Sequence, residues 1–177
     1  MAIRSFKNKQ PDIHSSSFID ETALVLGDVQ IGEHSSIWPL SVIRGDVNAI
    51  SIGSNTNIQD NSVLHVSHDG PYNPGGYYLK VGDNVTVGHR VILHGCHIQN
   101  NCLIGMGSII MDGVVVEPQT IIGAGSLVTP NKKLESGYLW IGSPARKIRA
   151  LSKEEIESIE YSALNYVKLK DQYQNEN

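Results

Sequence analysis

With 177 residues and a formal net charge of −4, the chain is long enough for one domain with a sizeable core. It holds no basic block of the kind that binds nucleic acid and no apolar run near the ~18 residues of a membrane span. Met1 to Lys7 has no long apolar stretch and Cys96 and Cys102 are the only cysteines, so the expectation is a cytoplasmic protein with reduced thiols, no export signal and no membrane partner.

From Ile13 onward an aliphatic residue recurs every six positions: Ile13, Ile19, Val25, Ile31, Ile37 and Ile43. After a short insertion the series resumes at Ile52, Ile58 and Leu64. A longer insertion, from about Val66 to Lys80, holds Pro71, Pro74, Gly75 and Gly76 and must loop outward. Val81, Val87 and Leu93 follow, one residue drops out, and the period continues from Ile98 to Val128.

Four residues after the aliphatic there usually stands a small side chain (Ser17, Ala23, Ser35, Ser41, Thr56, Ser62), and one residue after it often a glycine (Gly32, Gly53, Gly82, Gly88). One large and one small side chain per hexad point inward, and the glycine is read as the residue that permits a sharp corner. Three hexads close one triangular coil of short parallel strands, stacked about 4.8 Å apart. The predicted fold class is all-β, a parallel β-helix of hexapeptide repeats with about six coils. Residues 1–142 form this domain.

Residues 143–177 are read as a turn, Gly142-Ser143-Pro144, and a C-terminal helix. Ser152 and Glu155 form a capping box. Ile156, Ile159, Ala163, Tyr166 and Val167 give the helix an apolar stripe that packs on the β-helix or on a neighbouring subunit. Gln174 to Asn177 are expected to fray.

Register then singles out three of the seven histidines. His65 follows Leu64 and His94 follows Leu93, three hexads apart. They therefore occupy the same position on the same face, about 5 Å apart at Cα, where two imidazoles can share one metal ion. His89 holds a different position, two after Val87, on another face. A neighbour packed around a threefold axis would bring it to the pair, which implies a site split between the subunits of a homotrimer. Arg44 lies one coil below His65, and Gln59 and Asp60 lie one coil below Gly88 and His89. If two such faces meet, Arg44 of one chain approaches Asp60 of the next, with Asp46 as its second partner. The same three charges also read as a purely structural network. His14, His34 and His97 show no partner in this register and are read as structural. Cys102 occupies an inward small position as a buried thiol. The direction of Cys96 stays open.

Arg44-Gly45-Asp46, Gln59-Asp60-Asn61, Leu64-His65 and Gly88-His89 through Leu93-His94-Gly95 resemble the γ-class carbonic anhydrases. His65 through Pro71, Gly105-Met106-Gly107-Ser108, Gly142-Ser143-Pro144 and Tyr161 through Tyr166 are similar to the carbonic-anhydrase-like bacterial branch of YrdA type. The likeness spans nearly the whole chain. It implies left-handed winding, against the usual crossover rule. It also implies a homotrimer with a metal ion at each interface, His65 and His94 coming from one chain and His89 from the next. The metal implied is Zn²⁺, with Fe²⁺ or Co²⁺ as other occupants. The implied reaction is attack of a metal-bound hydroxide on CO₂ to give bicarbonate, reversibly. Gln59 would orient the hydroxide or substrate, and Arg44, Asp46 and Asp60 would hold the interface and its charge balance. The chain departs from the archetype twice: Val47 stands where a glutamate follows Arg-Gly-Asp, and His68 stands in place of a shuttle glutamate. An imidazole there can move protons near neutral pH.

Three other readings stay open. One is a hexapeptide-repeat acyltransferase, one a metal-bound trimeric scaffold, and one a weak thioesterase or esterase shaped by Tyr72, Tyr77 and Tyr78.

Overall fold

The computed structural model describes residues 2–176. The chain winds as a left-handed parallel β-helix with one C-terminal helix, Lys153–Glu176. Each of its three faces stacks seven parallel strands, one coil more than the period alone indicates. The extra coil arises at the ends. Ala2–Arg4 pairs with Leu24–Leu26 before the first hexad, and Lys133–Leu134 and Tyr138–Gly142 continue two faces beyond Val128.

The period works because it matches three flat sides of six residues. Ile37, Ile43, Ile58, Leu64, Leu93, Ile104, Ile110 and Ile122 are fully buried, one column above another. Each such side chain withdrawn from water contributes about 1.5–3 kcal/mol. The small inward residues close the corners by hydrogen bonds to the next coil: Ser35 Oγ donates to Gly53 O, Thr56 Oγ1 to Gly82 O and Ser62 Oγ to Gly88 O, at 2.7–3.1 Å.

The repeat glycines act differently from the expectation. Gly53 and Gly88 are not in the left-handed region. A Cβ on Gly53 would meet the Gly82 carbonyl at 2.7 Å, and one on Gly88 would meet Met106 N at 2.8 Å. They are needed because neighbouring coils approach too closely for a side chain. Positive φ falls two residues further on, at Asn55, Asn84 and Asn101 along one edge and at Leu40, Asn61 and Arg90 along another.

The three faces differ in what they show outward. The face through Asp12, Gln30, Ser51, Lys80 and His97 is polar. A second face, from Phe18 to Leu139, is covered over its lower coils by the C-terminal helix, through Trp38 against Tyr166 and Thr86 against Ser162. The third, from Leu24 to Leu127, carries an outward aliphatic column, Leu24, Val42, Val63, Ile92, Ile109 and Leu127, in continuous register. No described residue packs over the middle of this column: Val63, Ile92 and Ile109 are 38–39% exposed.

The segment after Gly142 does not pass directly into the helix. Ala145–Ala150 turns back and pairs antiparallel with Tyr138–Gly142, capping the second face. The capping box forms as expected: Glu155 N donates to Ser152 Oγ at 3.2 Å, and Ser152 N donates to Glu155 Oε2 at 2.9 Å. The helix runs through Gln174, whose side chain donates to Ser17 O, on to Glu176. Asn177 lies outside the described residues. Among the described residues no helix is long and apolar enough to cross a membrane.

Candidate metal centre

His65 and His94 end adjacent strands of the aliphatic face and stand directly opposite each other in register. Pairing at Leu64 and Leu93, both fully buried, sets that register, because a slip of one residue would turn the histidines into the core. The rings face each other with His65 Nδ1 3.1 Å from His94 Nε2. Each remaining ring nitrogen meets a carboxylate, His65 Nε2 at 3.0 Å from Asp46 Oδ1 and His94 Nδ1 at 2.7 Å from Asp112 Oδ1. Arg44 Nη1 pairs with the other oxygen of Asp46.

This arrangement has a chemical consequence. An ionised carboxylate only accepts, so His65 Nε2 and His94 Nδ1 are the donors. The two nitrogens that face each other then present lone pairs. Two acceptors 3.1 Å apart call for a shared cation, which is the chemistry of a metal ligand pair.

Burial lowers the His65 imidazole below its ordinary value, and the charges of Arg44 and His94 add to this, against the opposing pull of Asp46. Burial would raise Asp46, but its hydrogen bonds with His65 and Arg44 outweigh that and hold the carboxyl below the usual range. Both groups therefore favour the state a metal needs, neutral imidazole and ionised carboxylate.

His89 sits at the corner after the strand Thr86–Val87, the edge of the aliphatic face opposite His65 and His94, and so between two faces and not on a separate one as its register position suggested. Its Nδ1 lies 2.8 Å from Asp60 Oδ2, one coil below. Asp60 is thus engaged by His89 within its own chain, and Arg44 by Asp46. Gln59 is buried at the same corner, where its Nε2 donates to Asn57 Oδ1 at 3.1 Å. Val47 is exposed on the outward stretch between the two halves of the strand Val42–Ile52. His68 lies in the long loop, exposed, with no hydrogen bond to another described residue. It borders a cleft of about 340 Å³ with Ser67, Tyr72, Tyr77, Asp112 and Asn131. Tyr72 is fully exposed, and Tyr77 reaches Asn131 at 3.2 Å.

Within one chain, then, His65, His94, Arg44 and Asp46 are brought together, and His89, Asp60 and Gln59 form a second group. No group of three metal-ligating side chains forms among the described residues. A groove of about 720 Å³ runs along the polar face past Asp12, His14 and Lys80 and touches none of these residues.

Two histidines read as unpartnered have partners: His14 lies 3.6 Å from Glu33 and 2.9 Å from Ser16, and His97 packs on the Tyr78 ring at 4.4 Å. Cys96 points into the core, and both thiols are free and buried. Burial pushes the Cys96 thiol far up and that of Cys102 to about 12, so neither is a ready metal ligand. Sequence reasoning missed Asp112. The signal was present: extending the ladder one coil above His94 places Asp112 opposite Gly95, next to the ring.

Residues 95–130 match the model of bacterial transferase hexapeptide (six repeats), and residues 78–111 match that of the hexapeptide repeat of succinyl-transferase. The chain is 53% identical to Protein YrdA of Escherichia coli, over 97% of this chain and 93% of that one. It is 47% identical to a carbonic anhydrase of Geobacillus kaustophilus, over 97% and 90%. Among solved structures, a hexapeptide transferase family protein from Anaplasma phagocytophilum superimposes with a TM-score of 0.90 at 42% identity, covering 97% of this chain and 98% of that one.

Proposed function

This chain belongs to the γ-carbonic-anhydrase-like family of hexapeptide-repeat proteins, and from that premise we propose that it hydrates CO₂ reversibly to bicarbonate as a metal-dependent homotrimer. One observation carries the reading. Three imidazoles, each with one nitrogen held by a carboxylate, stand at the two edges of one exposed aliphatic face. Three such faces packed about a threefold axis bury the column from Leu24 to Leu127 and set the His89 edge of one chain against the His65–His94 edge of the next.

His65, His94 and the partner subunit's His89 would hold a divalent ion, Zn²⁺ or else Fe²⁺ or Co²⁺, which would supply the Lewis acidity that activates water near pH 7. The protein's own part is positional. Asp46 and Asp60 fix the rings. Arg44 balances Asp46 and reaches toward the partner subunit's Asp60. The Gln59 side-chain oxygen Oε1, left over when Nε2 donates to Asn57, accepts from the attacking water and orients it. Hydration releases one proton per turnover, and His68, exposed three residues beyond His65, carries it to solvent. Val47 offers no carboxylate to share that task, so turnover is slower than in a relative with glutamate there. Two free, buried thiols support a cytoplasmic setting.

The test is stopped-flow CO₂ hydration by protein loaded with Zn²⁺, or anaerobically with Fe²⁺, with His94→Ala as control. Hydration that disappears in the variant is expected. No hydration by the fully loaded trimer would overturn the reading. The Tyr-lined cleft beside Asp112 favours a second reading in that event, hydrolysis of a small ester or thioester at the same centre. Acyl-CoA turnover that survives chelation would instead indicate a transferase.

A further inference from the structure

Asp46 and Asp60 each hold one imidazole, and Asp112 does the same for His94 from a position outside the motifs that mark the site. Its carboxylate is used on both oxygens. Oδ1 accepts a hydrogen bond from His94 Nδ1–H at 2.7 Å, and Oδ2 accepts from Ser67 Oγ at 2.8 Å. The backbone makes room for it. Asp112 lies one coil above Gly95, and a Cβ at Gly95 would stand 2.2 Å from Asp112 Oδ1 and 2.6 Å from Tyr77 Cβ. Gly95 also has φ +52°, so both its conformation and its empty side favour glycine. Ser67 is itself fixed: its backbone pairs with Tyr77 across the base of the long loop, and Asn48 Nδ2 donates to its carbonyl at 3.2 Å.

We propose that Asp112 is a positioning residue of the metal centre, holding His94 as the Nδ1–H tautomer with Nε2 turned toward the shared site, and that Ser67 holds Asp112. The proposal rests on the metal-centre reading above. Without the carboxylate the His94 ring is free to turn about its χ2 axis or to carry its proton on Nε2, and either change removes the lone pair the metal requires. Ser67 links this contact to the base of the loop that borders the Tyr-lined cleft. The shape of that loop and the set of the His94 ring are thereby joined through two hydrogen bonds.

The experiment is Zn²⁺ affinity of the full-length protein by chelator competition, for wild type, Asp112→Ala, Asp112→Asn and Ser67→Ala. Thermal unfolding of the metal-free proteins and the visible spectrum of the Co²⁺-loaded proteins accompany it. Asp112→Ala is expected to weaken Zn²⁺ binding 10- to 100-fold, the usual cost of losing such a partner, with metal-free unfolding unchanged and an altered Co²⁺ spectrum. Asp112→Asn, which keeps an accepting oxygen, recovers part of the affinity, and Ser67→Ala shows a smaller loss. Wild-type affinity in Asp112→Ala overturns the proposal while leaving the metal centre standing. Should Asp112→Ala fail to fold, Asp112→Asn and Ser67→Ala decide by the same comparison. Failure of the wild type itself to bind Zn²⁺ sinks the metal-centre reading and this inference together, so the two failures are distinguishable.

Discussion

Lys170 is the only buried charged side chain among the described residues, 1% exposed on the inner side of the C-terminal helix. Its ammonium pairs with Asp171 and donates to Gln174 Oε1 at 3.3 Å. Its four-carbon stem continues the helix stripe beyond Tyr166 to Tyr173, whose ring lies 5.1 Å from that of Trp38. Lysine therefore serves here mainly as packing, with its charge neutralised at the edge. Lys170→Met should keep the stem and remove the desolvation cost, leaving stability equal or higher. Lys170→Ala should lose about 2 kcal/mol through the cavity it opens. Calorimetric unfolding of the two variants separates packing from charge. A loss in Lys170→Met as large as that in Lys170→Ala would show that the ion pair dominates.

Among the elements, the helix is attached by a clasp as well as by its stripe. Glu155 caps the helix through Ser152 and also pairs with both terminal nitrogens of Arg149, at 2.7 and 2.8 Å, on the strand Ala145–Ala150. The Arg149 hydrogen bonds, with the Ser152 backbone, hold the Glu155 carboxyl down at about 2. A carboxyl depressed in the folded state stabilises above its ordinary value of 4.5 and loses that contribution as pH falls toward about 2. The stability difference between wild type and Glu155→Gln should thus be constant above pH ~6 and shrink toward pH 2. Thermal unfolding at a series of pH values measures it; a difference that does not change with pH would count against the clasp. The capping box was legible as a local pattern in four residues. The added strand was not, because Ala145–Ala150 is mostly exposed and has no hexad period; only its edge position beside Tyr138–Gly142 makes it a strand.

For the molecule as a whole, the consequence to test is sharing of the site between subunits. His89→Ala and His94→Ala should each abolish activity and tight metal binding alone. Denatured together and refolded as a 1:1 mixture, they should recover about a quarter of the sites, because each mixed trimer retains one interface with both donors intact. Metal content and CO₂ hydration of the mixture report it. No recovery would place all three ligands within one chain. A charge in the exposed aliphatic column, as in Ile92→Asp, should give monomers by light scattering and loss of the metal with them.

The sequence by itself determined the coil. A six-residue period with one large and one small inward side chain can bury its aliphatic face in few other ways, and the same count put His65 beside His94 and Asp60 beneath His89. Tertiary structure alone decided what depends on backbones passing close to one another. It showed the repeat glycines to be places of contact between coils, sent Asp112 across Gly95 to the His94 ring, and left one of three faces aliphatic and uncovered while the helix closed another. Periodicity specifies which side of a strand a residue faces, because that follows from local geometry. It does not specify which atoms meet across coils, because that depends on side-chain reach and on the space neighbouring coils leave.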